Sequence, residues 1–151
     1  MLLKIKGRPE RGPGRPLKAY TLQNQALLEM LPSLAAVVDR GVVEMVASYG
    51  MAVGKEVFET VLFTGRLMER WEARGVPMGR LYRRDVKLAI CHHTRATDAN
   101  IRAELVDRFG PGKGKAIGTK KAPGPLYGFK ADEWAALALG ITFAEKLEAG
   151  S

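Results

Sequence analysis

Residues 42–50 read VVEMVASYG, and this stretch decides how the chain folds and where its chemistry lies. Apolar residues on both alternating faces are typical of a strand that is buried on both sides of a sheet. Glu44 interrupts that pattern. Because an isolated ionised carboxylate is costly to bury, Glu44 requires a basic side chain, a set of hydrogen bonds or a metal ion as its partner.

The composition of the chain indicates one globular domain, residues 1–151. A length of 151 residues is near the commonest domain size. A hydrophobic content of 46% with 26% charged residues argues against disorder. No apolar run approaches the roughly 18 residues that a membrane span requires, so we expect no membrane partner.

The charge balance favours a polyanionic partner. The chain has 24 Lys and Arg against 16 acidic residues, a formal net charge of +8, which suits nucleic acid if the basic residues cluster. The single cysteine, Cys91, cannot form an intrachain disulfide, and residues 1–12 lack the apolar core of a secretory signal. We therefore expect a cytoplasmic, reducing compartment.

The hydrophobic patterns predict an α/β fold on a modest sheet. Breakers in residues 1–22 fit an edge hairpin or a loose basic arm. A helix with Asn24 as its N-cap and ended or bent by Pro32 is predicted over 24–36. The other predicted elements are a strand over 41–48, an amphipathic helix over 52–74, a short strand over 78–84, a helix over 84–93, a helix over 94–110 with Thr97 or Asp98 at its start and Gly110 at its end, and a last helix over 131–147.

Two segments bear on how the protein assembles and binds. The helix over 52–74 is longer than one face of a small domain needs, so part of it contacts a second subunit or the whole forms a long core helix. Residues 110–125 hold five glycines, three prolines and four lysines. We interpret them as a mobile basic loop that cannot pack a core.

Acidic residues at the start of the last helix are the second candidate site. Asp132 and Glu133 have an ordinary explanation, because carboxylates complement the helix dipole and cap free N–H groups. They have a functional one if they converge with Glu44, since Mg²⁺ prefers oxygen ligands and few protein contacts.

Three stretches of the chain carry a recognisable order of features. They are VVEMVASYGMAVGKEVFETVLFTGR, RRDVKLAICHHTRATDANIRAELVDRFG and LYGFKADEWAALALGI. The order is an acid in a strand, a long helix, a helix that bears a lysine, and an acid at the start of an Ala/Leu-rich last helix. Over residues 42–144 this order resembles the RuvC-type Holliday-junction resolvases, in particular the RuvC-like resolvases of bacteriophages. The resemblance implies a ribonuclease H-like fold, with a central mixed sheet flanked by helices and a long helix at a homodimer interface. It also implies nicking of branched DNA with Mg²⁺ or Mn²⁺.

Carried over by this resemblance, Glu44 and Asp132 are the catalytic residues and metal ligands. Glu133 is a further ligand candidate, although one residue along a helix rotates its side chain by about 100° from Asp132. Asp98 is another, with a helix N-cap as its alternative reading.

The chain departs from the family pattern at two acid positions. Ala135 stands where a second acid of the last helix is often found, and Lys6 stands where the first strand carries an aspartate. Whether Glu10 or Asp39 compensates is open. The pair His92-His93 is a weaker metal or general-acid candidate, because adjacent residues of a helix face different ways.

DNA contacts are expected from phosphate-binding cations on and before the basic loop, although such a run can also be a solvated face. The candidates are Arg83, Arg84, Lys87, Arg95, Arg102, Lys113, Lys115, Lys120 and Lys121.

Three functions remain open at this point. The leading one is a dimeric endonuclease that resolves four-way junctions by metal-dependent phosphodiester hydrolysis. The second is a branched-DNA-binding protein that has lost cleavage, which Lys6 and Ala135 favour. The third is a ribonuclease H-like nuclease acting on RNA or flaps.

Overall fold

A computed structural model describes residues 18–150 of the chain, and side chains are described for residues 24–130 and 132–150. These residues form two compact units, residues 18–80 and residues 81–150. The predictions for the first strand, Lys6 and Glu10 lie outside the described residues. The organisation of the whole chain as one domain stays a prediction.

The first unit is a strand and two helices around one hydrophobic cluster. It contains α1 (Lys18–Ala35), β1 (Gly41–Met45) and α2 (Lys55–Glu72). Leucines of α1 pack against the buried face of α2, because both helices place apolar residues at three- and four-residue steps. The buried members of the cluster are Leu28, Leu31, Phe63, Leu67, Trp71 and Val76.

A parallel pair of strands follows that cluster. β1 pairs with β2 (Met78–Tyr82) in a two-stranded sheet, and the Gly41 N–H donates to the Pro77 carbonyl at 2.9 Å, so that both strands begin side by side. A Cβ on Gly41 would come within 2.2 Å of the Met78 sulfur and 3.2 Å of Trp71 Nε1. Glycine at the start of β1 therefore lets the strand lie directly on the core.

The second unit, which the chain enters within β2, is built from helices. α3 (Arg83–Cys91), α4 (Asp98–Phe109) and α6 (Ala131–Ala149) pack on one another, with a four-residue α5 (Lys113–Ala116) against α4. Fully or almost fully buried apolar side chains from each long helix make up its core. They include Val86, Ile90, Ile101, Leu105, Ala138 and Leu139.

Residues 110–125 correct one expectation from the sequence. They were predicted to be unable to pack, yet Ala116 is completely buried and the following Leu126 is 2% exposed. The reason is close backbone contact: a Cβ on Gly124 would lie 2.3 Å from the Lys115 carbonyl oxygen, and the Leu126 N–H donates to the Ala116 carbonyl at 2.8 Å. Here glycine allows tight packing. The mobility of the segment stays a prediction.

Other element predictions are confirmed with shifted ends. α1 begins at Lys18, so Asn24 lies inside the helix and is not its N-cap, and Pro32 lies within the helix as well. β1 ends at Met45 and not at residue 48. Thr97, the alternative to Asp98, is the N-cap of α4, and its hydroxyl accepts from the Asn100 N–H at 3.2 Å. Among residues 18–150, no helix is long and apolar enough to cross a membrane.

Candidate functional site

Glu44 lies on β1, where the strand passes from buried to half-buried residues. Gly41, Val42 and Val43 are buried, and Glu44 is itself half-buried with its Oε2 atom shielded from solvent. The strand therefore does carry a partly buried carboxylate, as its sequence indicates. The burial is shallower than the apolar pattern predicts, because the chain leaves the sheet one residue later.

Both acids at the start of α6, Asp132 and Glu133, are exposed. The carboxylate of Glu133 accepts a hydrogen bond of 2.5 Å from the Lys130 N–H. A Glu in the third position of a helix that reaches back in this way satisfies an N–H that the helix leaves free. Glu133 thus has the structural role that the sequence analysis gave as the alternative to metal binding.

The other positions considered for metal binding are Asp98, Ala135 and Asp39. Asp98 lies in the first turn of α4 and pairs with Arg83 of α3. Ala135, at the position where an acid was expected, is 6% exposed and belongs to the core of the second unit. Asp39 is exposed just before β1. The roles of the acids in metal binding stay predictions.

The described residues do not make up a complete metal site. Carboxylate oxygens are the right donors for Mg²⁺ or Mn²⁺. However, residues 24–130 and 132–150 contain no group of three or more His, Cys, Asp and Glu side chains placed to hold an ion. His92 ends α3 in the left-handed conformation (φ 60°), and both His92 and His93 are exposed.

Most of the predicted DNA-binding cations are available to a ligand. Arg83 and Lys87 are half-buried, and the other seven are exposed. Two of the nine have structural contacts, since Arg83 pairs with Asp98 and the guanidinium of Arg102 lies over the Trp134 ring, 4.9 Å from its centroid. Arg102 therefore helps to fix α4 against α6.

A long basic stretch without acids runs from the end of α4 to the start of α6. Residues 108–131 contain one arginine and five lysines and no acidic residue. Within them, Gly118 and Pro123 form an antiparallel bridge, and Thr119 and Ala122 exchange backbone hydrogen bonds of 2.9 and 3.1 Å. Lys120 and Lys121 therefore occupy the tip of a tight hairpin, which we call the lysine hairpin (residues 118–123).

A left-handed glycine makes the lysine hairpin possible. Gly118 has φ +70°, and a Cβ there would lie 2.2 Å from the Ala122 carbonyl oxygen. No other residue type fits both the conformation and the space. The two lysines are held on a defined turn, so that little backbone freedom is lost when they bind an anion.

Cys91 is a half-buried free cysteine at the end of α3. Burial raises the pKa of its thiol above the usual value, and the nearby carboxylate of Glu104 raises it further. The thiol therefore stays protonated at neutral pH, which argues against a nucleophilic role.

Tyr127 is a further exposed aromatic residue that was not among the site residues predicted from the sequence. Its side chain is 44% exposed, within the acid-free stretch that follows the lysine hairpin. The available signal was an aromatic residue between lysines, a pattern that is common in surfaces binding single-stranded nucleic acid.

Comparison with known proteins identifies the fold. No protein-family model matches the chain, and no curated protein matches it. The structure of Thermus thermophilus RuvC is similar at a TM-score of 0.57 and 21% identity, over 94% of this chain and 76% of RuvC. The structure of T. thermophilus RuvC in complex with a Holliday junction substrate is similar at a TM-score of 0.59 and 20% identity, over 93% and 75%. The chain therefore has a RuvC-like fold.

Proposed function

We propose that this protein is a structure-specific DNA endonuclease that resolves Holliday junctions and related branched DNA by metal-dependent phosphodiester hydrolysis. The observation that carries the proposal is the RuvC-like fold over more than nine tenths of the chain. One of the similar structures described above is of RuvC in complex with a Holliday junction substrate. The same proposal assigns a ribonuclease H-like core, a kinship with the bacteriophage RuvC-like proteins, and the cytoplasm of a bacterium or an infected host as the site of action.

Binding would rest on phosphate contacts from the second unit. The lysine hairpin presents Lys120 and Lys121, and Lys113 and Lys115 lie exposed on α5. Because residues 108–131 hold no acid, no carboxylate of this segment competes with a phosphate for these cations. Such contacts recognise the DNA backbone and its branched geometry, and they carry no base sequence.

The catalytic part of the proposal assigns Glu44 and Asp132 as oxygen ligands of Mg²⁺ or Mn²⁺. A bound ion of this kind lowers the pKa of a water molecule and stabilises charge on the phosphate. Glu133 and Asp98 would join the ligand set only after leaving Lys130 and Arg83, their present partners.

The proposal includes a homodimer formed through α2. One side of this helix packs on the core of the first unit, and the opposite side exposes Phe58, Val61 and Leu62 at 60%, 43% and 69%. Val61 and Leu62 lie three and four residues after Phe58, so the three side chains form one patch on the helix. An exposed apolar patch of this kind is typical of a protein interface.

A second candidate function, branched-DNA binding without cleavage, is favoured by specific observations in the last helix. Ala135 is buried in the core, and Glu133 caps the helix. If neither position contributes a ligand, the ion is held by fewer carboxylates and cleavage is weakened or lost. DNA binding by the lysines is unaffected by this difference.

A cleavage assay separates the candidates. End-labelled synthetic four-way junction, linear duplex, flap and RNA–DNA hybrid are incubated with Mg²⁺ or Mn²⁺ and wild-type protein, Glu44→Gln or Glu148→Gln. Glu148 is an exposed acid near the end of α6 and serves as the matched charge control. The proposal predicts symmetrical nicks in the junction, lost in Glu44→Gln and kept in Glu148→Gln, with junction binding kept in both.

The other outcomes are equally informative. Junction binding without nicks under either metal supports the second candidate. Nicks confined to flap or hybrid substrates support the third function, a ribonuclease H-like nuclease of different specificity. Equal binding of junction and linear duplex contradicts the proposal.

A further inference from the structure

Tyr127 combines an exposed aromatic ring with a strongly basic stretch of sequence. Its side chain is 44% exposed, and it lies between Lys121 and Lys130 in a segment, residues 108–131, that contains one arginine, five lysines and no acid. The arginine, Arg108, is paired with Glu145 of α6, which leaves the five lysines as the cations of this segment. An exposed tyrosine alone is ordinary. Two features distinguish Tyr127 from an ordinary exposed tyrosine. Its backbone is held by hydrogen bonds, and the segment that carries it is strongly basic.

The backbone on both sides of Tyr127 is anchored. The preceding Leu126 is buried and hydrogen-bonded to Ala116, and the Tyr127 N–H donates to the Gly124 carbonyl at 3.0 Å. The Phe129 N–H donates to the Leu126 carbonyl at 3.3 Å. The tyrosine thus sits on a hydrogen-bonded turn directly after a buried leucine, with its own ring 44% exposed.

Phe129, two residues after Tyr127, packs against another aromatic side chain. The Phe129 ring lies 5.5 Å from the Trp134 ring, centroid to centroid, in a tilted arrangement. Within the described residues, the Tyr127 ring takes part in no such ring contact. Packing in the protein interior accounts for the apolar side chains of Phe129 and Leu126. It does not account for an exposed aromatic ring at Tyr127.

We propose, resting on the function proposed above, that the Tyr127 ring stacks on an unpaired nucleobase of the bound DNA while the neighbouring lysines hold its phosphates. Every base has a π face, so stacking suits a protein that recognises structure and not sequence. The positive, acid-free setting favours a polyanion over an apolar protein partner, which would also require a much larger patch than one ring. An anchored turn reduces the entropy lost on stacking.

The test measures DNA binding by anisotropy in EDTA, which prevents cleavage, with four-way junction, linear duplex and single-stranded oligonucleotide. The variants are Tyr127→Leu, which removes the aromatic face, and Tyr127→Phe, which keeps it. Tyr82→Leu is the matched control, because Tyr82 is 45% exposed in the same unit and lies outside the acid-free segment. A junction and a single strand that carry 2-aminopurine, at the branch point and mid-strand, report stacking through fluorescence quenching.

We expect Tyr127→Leu to weaken single-strand and junction binding by about 5- to 150-fold and to abolish the quenching, with duplex binding within about twofold. Tyr127→Phe and Tyr82→Leu should behave as wild type. Equal weakening on all three DNAs, or unchanged binding in Tyr127→Leu, overturns the inference. If wild type does not prefer the junction, the proposed function fails on its own, and the single-strand arm still decides the role of the ring.

Discussion

Trp134 offers a stability prediction that can be worked out from the structure. Its side chain is 6% exposed at the start of α6, and three interactions meet there: the Phe129 ring at 5.5 Å, the Arg102 guanidinium at 4.9 Å, and a hydrogen bond of 3.2 Å from Nε1 to the Phe129 carbonyl. Together they hold the turn that carries Asp132. Weakening them should therefore lower the stability of the second unit and disturb the acid next to it.

Two substitutions of Trp134 separate the contribution of its N–H from that of its ring to the free energy of unfolding. Trp134→Phe keeps a ring but removes the N–H, and we expect a loss of about 1–2 kcal/mol, since a hydrogen bond contributes about 1 kcal/mol and a smaller ring weakens the contact with Arg102. Trp134→Ala also leaves a cavity, and the expected loss is about 3–5 kcal/mol. Arg102→Met should show a coupling of about 0.5–1 kcal/mol with Trp134→Phe in a double-mutant cycle.

The assay is urea unfolding followed by circular dichroism at 222 nm. Arg95→Met is the matched control, because Arg95 is exposed in the same unit and should show no coupling with Trp134. The chain has two tryptophans, so the fluorescence of Trp134→Phe reports only Trp71, in the first unit. A Trp134→Phe protein as stable as wild type, or a coupling with Arg102 no larger than that with Arg95, would refute the reasoning.

Three further predictions address assembly, binding and reactivity. Leu62→Arg should convert the proposed dimer to a monomer in light scattering without lowering the melting temperature, because Leu62 is 69% exposed, and a wild-type monomer at micromolar concentration would contradict the interface. The double variant Lys120→Ala, Lys121→Ala should reduce the slope of log K against log salt by about 2 for every DNA, and an unchanged slope would remove the lysine hairpin from the interface. Because burial and Glu104 raise the pKa of Cys91, alkylation of the folded protein should be slower at pH 8 than that of the urea-unfolded chain and should accelerate only as the pH rises further; equal rates would contradict this.

Hydrophobic periodicity was a good guide to the elements that pack by one face. The helices α2, α3, α4 and α6 and the strands β1 and β2 all appear where the spacing of apolar residues predicts them. The cap at Thr97 was readable as well, because a hydroxyl before an apolar-periodic run is a local signal. The exact ends were less readable, since tertiary packing decides how far a helix such as α1 continues past Pro32.

The misread segment shows where composition fails. Residues 110–125 look unable to pack because glycine and proline make up half of them, but Gly118 and Gly124 permit close backbone contacts that close a hairpin over Ala116. Whether a glycine allows motion or close packing depends on what lies opposite it in space. A single sequence does not contain that information.

The candidate site was predictable only in part for a similar reason. Glu44 was singled out because a charge inside an apolar strand is a conflict visible in the sequence. The contact of Arg102 with Trp134 joins residues more than thirty positions apart, and the pairing of Asp98 with Arg83 joins two different helices. Contacts of this kind determine which charged side chains are available to bind a ligand. They join residues that are distant in sequence, so they are seen only in the folded structure.

The most direct test of the account is a crystal structure of the full chain soaked with Mn²⁺, with the ions located by anomalous scattering. The account predicts at least one manganese ion coordinated by carboxylate oxygens of both Glu44 and Asp132. Manganese absent from both residues, or a Glu44 carboxylate held by a basic side chain with no ion beside it, would contradict the proposed nuclease.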